Sequence, residues 1–571
     1  MTAARRLLVC IAAISPIIAA AAILPARADD ELPLAASPWV GDLPAGGHQN
    51  AFIHAAESLA DIDRQGRLLL LNYPATETTI GAPFYAIDRF YDRVNHKPLL
   101  RRAMNRRGYS DIGQSWSYIY ARTGLTAYPQ TEGTGAYYVP FADGNRPAAP
   151  IGFSLFYHAQ GTPAFTLSCA ACHTRNLFGR PVLGGSNIQG GVGSSVLLLK
   201  KFSSLSPREF RFASRPSGAE TRTFQDMQVK ASYIHGTTPL AMGLENPASV
   251  VGLSLAGRAP NSQATRDPRF AAGAYRSPLW SIPADTKSAP WWTLRYKNRF
   301  LLDGSMKGDP VLGQFIFNEI GRGADLRHLQ SWIDRNREQF RAMSGSILAM
   351  EPPLWTDFFP AESINLDLAR RGEQVFSQRC AHCHGRYEKG WNGPQADQLS
   401  RAQQLATTLV VPLAETRAVD VGTDPNRAKI MEYLAPQLNQ LDIFRSNGFE
   451  FEAHPGAYVP PPLVGIWARW PYLHNNSVPN LDELLKPAAE RVGSYYVGTA
   501  NDIQRDYDAQ AVGFSVAAKT PLAWRTPGRL FDARQPGLSN RGHDEGIFAS
   551  GGKSELTSED KAALIEFLKT L

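Results

Sequence analysis

Residues 366–384 read LDLARRGEQVFSQRCAHCH, and they join an amphipathic helix directly to a Cys-x-x-Cys-His motif. Apolar side chains recur at helical spacing before Cys380, which predicts a helix with one buried face. Gly372, with Val375 and Phe376 after it, fits a helix that packs closely on a partner. The stretch therefore predicts a packed helix that presents the motif at its carboxyl end.

The same motif occurs a second time, as CAACH at residues 169–173. A lone cysteine pair could be a redox couple, and four thiols could share a zinc ion, but neither explains a histidine directly after each pair. Covalent haem c needs this spacing, because two thiols form thioethers with the vinyl groups and the adjacent imidazole, His173 or His384, binds the iron. The sequence therefore predicts two covalently bound c-type haems. The chain has five cysteines, and those other than Cys10 lie in the motifs, as Cys169, Cys172, Cys380 and Cys383.

The carboxyl-terminal residues supply a partner for the helix before the second motif. Thr557-Ser558-Glu559-Asp560 is a helix-capping pattern, and an apolar stripe at helical spacing follows it. The two helices resemble the crossed first and last helices of class I cytochrome c domains, with two unrelated surface helices as the alternative. We therefore expect a carboxyl-terminal cytochrome c domain over residues 361–571. The stripe consists of Leu564, Ile565, Leu568 and Leu571.

The amino terminus has the layout of a secretory signal peptide. Two arginines precede an apolar stretch at residues 7–24, and Ala26-Arg27-Ala28 is a small-x-small cleavage pattern. A retained membrane anchor is the alternative, but the apolar run is short and is broken by Ser15-Pro16. We expect removal of residues 1–28, which would leave no stable membrane anchor and a periplasmic or secreted protein.

The charge of the chain argues against nucleic acid as a partner. The chain carries 59 Lys and Arg against 52 Asp and Glu, a net charge of +7. Loss of Arg5, Arg6 and Arg27 with the leader would lower the net charge to +4. No dense run of basic residues occurs in the remainder, so a nucleic-acid-binding protein is not favoured.

Composition divides the chain around the two motifs. We expect residues 29–360 to form an amino-terminal haem c domain with an extended loop-rich region, because residues 29–150 are rich in aromatic and turn residues and residues 176–262 in Gly, Ser and Asn. A helical stretch is expected over Asp309–Met343, before a proline-containing linker at residues 352–360. The predicted fold class is mainly α with extensive loops, two cytochrome c-like haem domains and few short β-strands.

The function of each haem depends on the sixth ligand of its iron. A haem with two strong protein ligands shuttles electrons, whereas an open position binds dioxygen or peroxide. Met431 has a spacing typical of a class I methionine ligand, but its surroundings are more typical of a helix core. His543 lies in a flexible turn ahead of the last helix. For the second haem the residues alone leave open His474, His543, Met431, Tyr495 and Tyr496.

Residues 465–485, GIWARWPYLHNNSVPNLDELL, resemble the carboxyl half of the di-haem cytochrome c peroxidase superfamily, and within it the rubber oxygenase branch. Tyr495-Tyr496-Val497-Gly498 and Val512-Gly513-Phe514 extend the resemblance, which is specific in the carboxyl half. It implies that the second haem is bis-histidine, with Gly542-His543 supplying the distal imidazole. It also implies that the first haem, held by His173, is the active one.

For the first haem the resemblance implies an apolar and aromatic distal site, and Trp291 and Trp292 are the best local match. A tryptophan pair ordinarily belongs to a core. His474 fits a structural or propionate-binding role, and His235 is a conceivable acid or base. The acidic and glutamine pair that a bacterial di-haem peroxidase usually presents is not evident, and the sequence leaves open whether calcium lies between the haems.

Three functions of different classes remain. The first is an oxygenase of the rubber-cleaving type, with dioxygen and an apolar substrate. The second is a di-haem cytochrome c peroxidase, with peroxide and a small periplasmic electron donor. The third is a non-catalytic electron-transfer cytochrome c, which would not need about 200 residues between its haems. The pattern favours a haem-dependent oxidoreductase with its active haem at His173 and an electron relay at His384.

Overall fold

A computed structural model describes residues 59–73, 78–106, 115–393, 396–413 and 415–571. The predicted signal peptide, residues 1–28, lies outside these ranges. Within them the protein is mainly α with short strands, as the sequence predicts. The described helices include none that is both long enough and apolar enough to cross a membrane.

The described α-helices range from 4 to 15 residues in length. In chain order the helices are α1 (Leu59–Asn72), α2 (Phe84–His96), α3 (Pro98–Arg106), α4 (Trp116–Thr123), α5 (Cys169–Cys172), α6 (Val192–Ser203), α7 (Pro207–Ser214), α8 (Gly218–Ser232), α9 (Pro247–Ala256), α10 (Pro310–Gly321), α11 (Leu326–Arg335), α12 (Arg337–Ala349), α13 (Leu366–Arg379), α14 (Ala381–His384), α15 (Arg401–Ala406), α16 (Asn426–Leu438), α17 (Asp442–Arg445), α18 (Leu481–Leu484), α19 (Ile503–Asp506) and α20 (Ser558–Lys569).

The strands are short and pair antiparallel. The strands are β1 (Ala82–Pro83), β2 (Phe153–Tyr157), β3 (Pro163–Leu167), β4 (Thr174–Leu177), β5 (Arg180–Leu183), β6 (Met306–Lys307), β7 (Arg386–Lys389), β8 (Thr408–Val411), β9 (Glu450–Phe451), β10 (Ser494–Tyr496), β11 (Leu530–Asp532), β12 (Ala549–Ser550) and β13 (Lys553–Ser554). One sheet has the order β1-β3-β2, with Leu155 opposite Phe165, and the other strands form two-stranded ribbons. The ribbon of β6 and β9 pairs Met306 with Phe451 and so joins the two halves of the chain.

The crossed helices expected in the carboxyl half are confirmed. α13 has the predicted bounds, and α20 begins directly after Thr557, whose side chain caps it. The helices cross at Gly372, where an added Cβ would lie 2.0 Å from the carbonyl oxygen of Ala563. Phe376 of α13 packs on Phe567 of α20 with ring centres 5.3 Å apart. The absence of a side chain at Gly372 is what lets the two backbones approach.

The prediction that residues 29–150 and 176–262 are loop-rich is wrong for the parts of them that are described. α1 to α4 lie in the first segment and α6 to α9 in the second. Capping boxes at Ser206 and Ser217 begin α7 and α8, and a serine followed three residues later by glutamate is a sequence signal for a helix start. The glycines, serines and asparagine concentrate at residues 184–191. The average composition of residues 176–262 therefore predicted loops, although helices α6 to α9 follow these glycine-rich residues.

The helical stretch expected at Asp309–Met343 is confirmed, as three helices. Asp309 caps α10 through hydrogen bonds from the N–H groups of its first turn. Gly323 ends the turn after α10 at positive φ, and an added Cβ there would lie 2.0 Å from the carbonyl oxygen of Lys230. α11 and α12 then follow with a break at Asn336.

One hydrophobic core runs through both predicted domains. It extends from Leu69 on α1 to Leu571 at the carboxyl end. A second cluster packs α2, α4 and α8 onto the three-stranded sheet, with Phe90 and Phe224 fully buried. The division into residues 29–360 and 361–571 stays a prediction, since the core is continuous across it.

Candidate haem-binding sites

The first motif follows the hairpin of β2 and β3 and forms the short helix α5. The N–H of Ser168 donates to the carbonyl oxygen of Gly152 at 2.9 Å. Gly152 has positive φ, and an added Cβ would lie 2.5 Å from the Cα of Ala171. A glycine is therefore needed where the sheet meets the motif.

Asn187 makes three hydrogen bonds, two to the motif and one to Thr123 at the end of α4. Its Nδ2 donates to the carbonyl oxygens of Ala171 and Thr123, each at 2.9 Å. Its backbone N–H donates to the carbonyl oxygen of Cys172 at 3.0 Å. From the sequence, Asn187 was predicted only as part of a loop-rich segment. The Gly-Gly-Ser-Asn stretch soon after the motif is the signal that could have indicated its role.

A cavity of about 240 Å³ opens beside the first motif, and Cys169, Cys172 and His173 line it. Both cysteines are free thiols. Burial raises the pKa of the Cys169 thiol to about 11 and lowers the pKa of the His173 imidazole to about 4. The imidazole is therefore neutral at physiological pH, which is the form that binds a metal. Two thiols, a neutral imidazole and an adjoining cavity fit a covalent haem.

The wall of this first cavity is largely apolar. Phe315 and Phe317 come from α10, and Phe300 comes from the turn before β6. Among the described residues that line it, His173 is the one histidine. The wall also contains the polar residues Glu245 and Gln314. The sequence did not predict either of them, because they lie far apart along the chain. The first cavity thus offers one axial imidazole and a mainly apolar space.

Of the two tryptophans proposed for the distal pocket, Trp291 lies against His173. The two rings are stacked, with centres 4.6 Å apart and planes at 23°. A stacked ring lies beside the axial imidazole, so Trp291 is next to the ligand rather than across the cavity from it. Trp292 is buried elsewhere and does not line this cavity. Its Nε1 donates to the carbonyl oxygen of Val464 at 3.0 Å.

The second motif begins where α13 ends, and its histidine is held by the surrounding backbone. Nδ1 of His384 donates to the carbonyl oxygen of Pro461 at 2.8 Å, which leaves Nε2 as the nitrogen free to bind iron. The hydroxyl of Tyr387 donates to the carbonyl oxygen of His384 at 3.0 Å. Cys380 and Cys383 are free thiols. Together with His384 they line a cavity of about 200 Å³.

His543 lies in this second cavity and faces His384, with ring centres 6.2 Å apart. With metal–nitrogen distances of about 2 Å on both sides, two axial imidazoles have ring centres about 6 Å apart. His543 has a φ of 57°, and its N–H donates to the carbonyl oxygen of Val421 at 2.7 Å. Burial lowers the pKa of His384 to about 4 and that of His543 to about 3. The pair fits a bis-histidine iron.

The other candidates for the sixth ligand occupy different places. His474 lines the second cavity and stacks on Tyr458 with ring centres 4.0 Å apart, and its buried Nε2 has no hydrogen-bond partner among the described residues. Met431 is buried on α16 and lines neither cavity. The hydroxyl of Tyr495 donates to the carbonyl oxygen of Asn476 at 2.6 Å. Tyr496 and His235 also line neither of the two cavities.

Two enclosed cations stand at the wall between the cavities. Lys287 lines both of them, and its Nζ donates to the carbonyl oxygens of Arg469 and Pro471, at 3.3 and 2.6 Å. Arg469 lines the second cavity, and its buried Nε has no hydrogen-bond partner in the part of the chain that the structure describes. Burial lowers the pKa of Lys287 well below its ordinary value and that of Arg469 to about 10.

Two more cations lie close by. Arg175 is buried, with its guanidinium 3.9 Å from the centre of the Trp470 ring, and its Nη2 donates to none of the described residues. Lys297 lines the second cavity, and burial lowers its pKa to about 7. None of these four cations forms an ion pair with a carboxylate in the described chain. Uncompensated buried charge is costly, which is why burial lowers the pKa values of Lys287 and Lys297. Haem propionates are anions that would compensate the charge and favour the protonated lysines. The described residues also contain no group of three or more His, Cys, Asp or Glu suited to another metal such as calcium.

Comparison with known proteins supports a cytochrome. A RoxA-like, cytochrome c-like domain is found at residues 457–496, within the carboxyl half on which the resemblance rests. That segment contains Arg469 and His474 of the second cavity. The protein has cytochrome c-like character there, which suggests covalently bound haem c.

Two proteins of Sinorhizobium fredii are similar over part of the chain. The uncharacterized protein y4iJ is 30% identical over 269 residues, which are 39% of this chain and 41% of that protein. The uncharacterized protein y4iM is 29% identical over 243 residues, which are 36% of this chain and 49% of that protein. The matched part covers less than half the length of each relative, and neither name states an activity.

Proposed function

We propose that this protein is an exported di-haem c-type cytochrome of the rubber-oxygenase-like kind, with its active haem at His173 and an electron-relay haem at His384. When bound, the first haem would supply an open iron position for dioxygen or peroxide, and the second would supply electrons. Cys169 and Cys172 would hold the first haem, and Cys380 and Cys383 the second. The RoxA-like match supports the class of protein.

The observation that carries the proposal is the difference between the two cavities. The second has a pair of facing imidazoles, His384 and His543. The first has His173 and a wall that includes Phe300, Phe315 and Phe317. Two strong axial ligands favour electron transfer, whereas a site with one favours binding of an external ligand. The proposed chemistry is therefore assigned to the first cavity.

The residues around the sites have separate proposed tasks. Trp291 would fix the orientation of the His173 imidazole by stacking on it, and Asn187 would hold the motif that carries that imidazole. Lys287 and Arg469 would neutralise propionates between the two haems. Because Lys287 borders both cavities, we expect the two haems to be close neighbours.

A di-haem peroxidase is the second candidate, and one observation favours it. Glu245 and Gln314 both line the first cavity. An acid and an amide at such a site can move a proton and orient a bound peroxide. The apolar majority of the wall favours the oxygenase, whose substrate would be apolar. In the peroxidase reading a small periplasmic donor would feed the second haem.

Spectroscopy of the purified, haem-loaded protein tests the proposal. We expect two haems per chain, one low-spin and six-coordinate, and one high-spin or dioxygen-bound. Peroxide and polyisoprene latex, each added separately, then distinguish a peroxidase from an oxygenase by consumption of peroxide or by cleavage products. Two low-spin haems, with no reaction towards either compound, would leave only the electron carrier.

A further inference from the structure

Tyr73 and Glu319 form a buried pair beside the first cavity. Both residues are 0% exposed, and the Tyr73 hydroxyl donates a short hydrogen bond to Oε1 of Glu319. The same carboxylate accepts from the hydroxyls of Thr78 and Thr79, at 2.9 and 3.1 Å. The phenol thus points at a carboxylate that can take its proton, in a place that water does not reach.

Several contacts connect this pair to the first cavity. The ring of Tyr73 lies 5.6 Å from that of Phe315, which lines the cavity. Arg322, also in the cavity wall, holds its guanidinium 4.6 Å from the centre of the Tyr73 ring. Glu319 and Arg322 are close enough to act on the pKa of the Cys169 thiol, although burial is the larger cause. The pair therefore packs against residues that line the first cavity.

The backbone of Tyr73 is also unusual. Its φ is +58° at the end of α1, where glycine or asparagine is the common residue. A bulky residue in this conformation is strained and persists only where its surroundings hold it. A packing role alone would not require the hydroxyl to meet a buried carboxylate.

We propose that Tyr73 is a redox-active tyrosine that supplies an electron to the first haem, with Glu319 as the acceptor of its proton. This inference rests on the proposed function, in which the His173 haem reacts with peroxide. Reduction of one hydrogen peroxide molecule to two water molecules takes two electrons, one from Tyr73 and one from the haem, and two protons, both from solvent that enters the cavity with the peroxide. The O–H bond of Tyr73 breaks and an O–H bond to Glu319 forms, which leaves a neutral phenoxyl radical and a neutral carboxylic acid.

The surroundings favour loss of the electron and the proton together. Burial, and then the charge of Glu319, raise the pKa of Tyr73 well above its ordinary value, so the phenol does not ionise beforehand. The positive charge of Arg322 would repel a positive charge on the oxidised Tyr73 ring. If the proton moves to Glu319 along the existing hydrogen bond as the electron leaves, Tyr73 neither ionises beforehand nor carries a positive charge.

The test is electron paramagnetic resonance of the haem-loaded protein, frozen after mixing with hydrogen peroxide. We expect an organic-radical signal in the wild type and in Tyr128→Phe, a control at a buried tyrosine with no carboxylate partner in the described chain. We expect that signal to be absent in Tyr73→Phe and at least tenfold weaker in Glu319→Gln. Radical formation should also be slower in deuterium oxide.

Persistence of the signal in Tyr73→Phe would overturn the inference. So would the absence of any radical in wild-type protein whose first haem is visibly oxidised by peroxide, and this result would leave the proposed function standing. A haem spectrum unchanged by peroxide would instead remove the peroxide chemistry and the inference with it. If Tyr73→Phe does not fold, two other measurements replace it. Wild-type protein with ring-deuterated tyrosine shows whether the radical is on a tyrosine. An undiminished signal in Glu319→Gln overturns the assignment to Tyr73.

Discussion

The imidazoles of His384 and His543 face each other across the second cavity with ring centres 6.2 Å apart. His384 is fixed by its hydrogen bond to Pro461, and His543 by its backbone hydrogen bond to Val421. The ring of His384 and the backbone of His543 are thus held before any iron is considered. This preorganised pair separates the second site from the first, where His173 meets an apolar wall.

Replacement of His543 should change the spin state of one haem. In His543→Ala we expect the low-spin signal of the second haem to become high-spin, because its iron loses one of two strong ligands. Absorption and electron paramagnetic resonance spectra measure this change. His474→Ala, in the same cavity, is the matched control and should keep the low-spin signal; the opposite pattern would assign His474 as the ligand.

Loss of Trp291 should weaken the reaction at the first haem without loss of the haem. Trp291→Leu removes the ring stacked on His173, and partners of a metal-bound histidine typically contribute about 10-fold or more to activity. The measurement is the rate of peroxide or oxygen consumption at equal haem content. Trp292→Phe, which removes the hydrogen bond to Val464, should keep near-normal activity, and equal losses in both variants would assign the effect to packing.

Removal of the Lys287 charge should lower the reduction potential of a haem. A cation near the propionates favours the reduced state, so in Lys287→Met we expect a decrease of about 60 mV, equivalent to a tenfold change for one electron. Redox titration followed by absorption measures the shift. Lys389→Met is the control, because Lys389 is also buried and also donates to backbone carbonyl oxygens, those of Leu405 and Thr570, but lines neither cavity. Equal potentials in wild type and Lys287→Met would contradict a propionate role.

A side chain at Gly372 should destabilise the carboxyl half. In Gly372→Ala the added Cβ would meet the carbonyl oxygen of Ala563, and such overpacking costs about 1–3 kcal/mol of unfolding free energy. Thermal unfolding of the haem-loaded protein measures it. Gly493→Ala, where an added Cβ has no neighbour within 4 Å, should unfold like the wild type.

Asp285 should make stability depend on pH. Burial raises its pKa to about 6 from 3.8, so the folded state favours the protonated acid. The protonated acid contributes its full stabilisation below pH 4, and this stabilisation is lost as the pH rises through 6. The free energy of unfolding then falls by about 3 kcal/mol, because each pKa unit corresponds to about 1.4 kcal/mol. Asp285→Asn should remove this loss, and denaturant unfolding of both proteins from pH 4 to 8 should show the difference grow with pH. A constant difference would contradict the raised pKa.

Local sequence was enough to predict the helix before Cys380 and the cap at Thr557, and the assignment of haem to the two Cys-x-x-Cys-His motifs stays a prediction from equally local signals. Covalent attachment and helix capping depend on residues a few positions apart, so their signals lie within short windows. The same reading placed loops where α6 to α9 stand, because the glycine-rich residues 184–191 dominated the composition of that segment. Its prediction of His543 came from a family resemblance rather than from spacing.

Only the tertiary structure decided which groups meet across the chain. It brought His543 to 6.2 Å from His384, put Trp291 on His173, and placed Lys287 at both cavities. It also joined Tyr73 to Glu319. The sequence by itself determined which residues have the spacing that haem attachment requires, since that chemistry is local. The environment of each motif depends on burial and on contacts between distant segments, which no short pattern encodes.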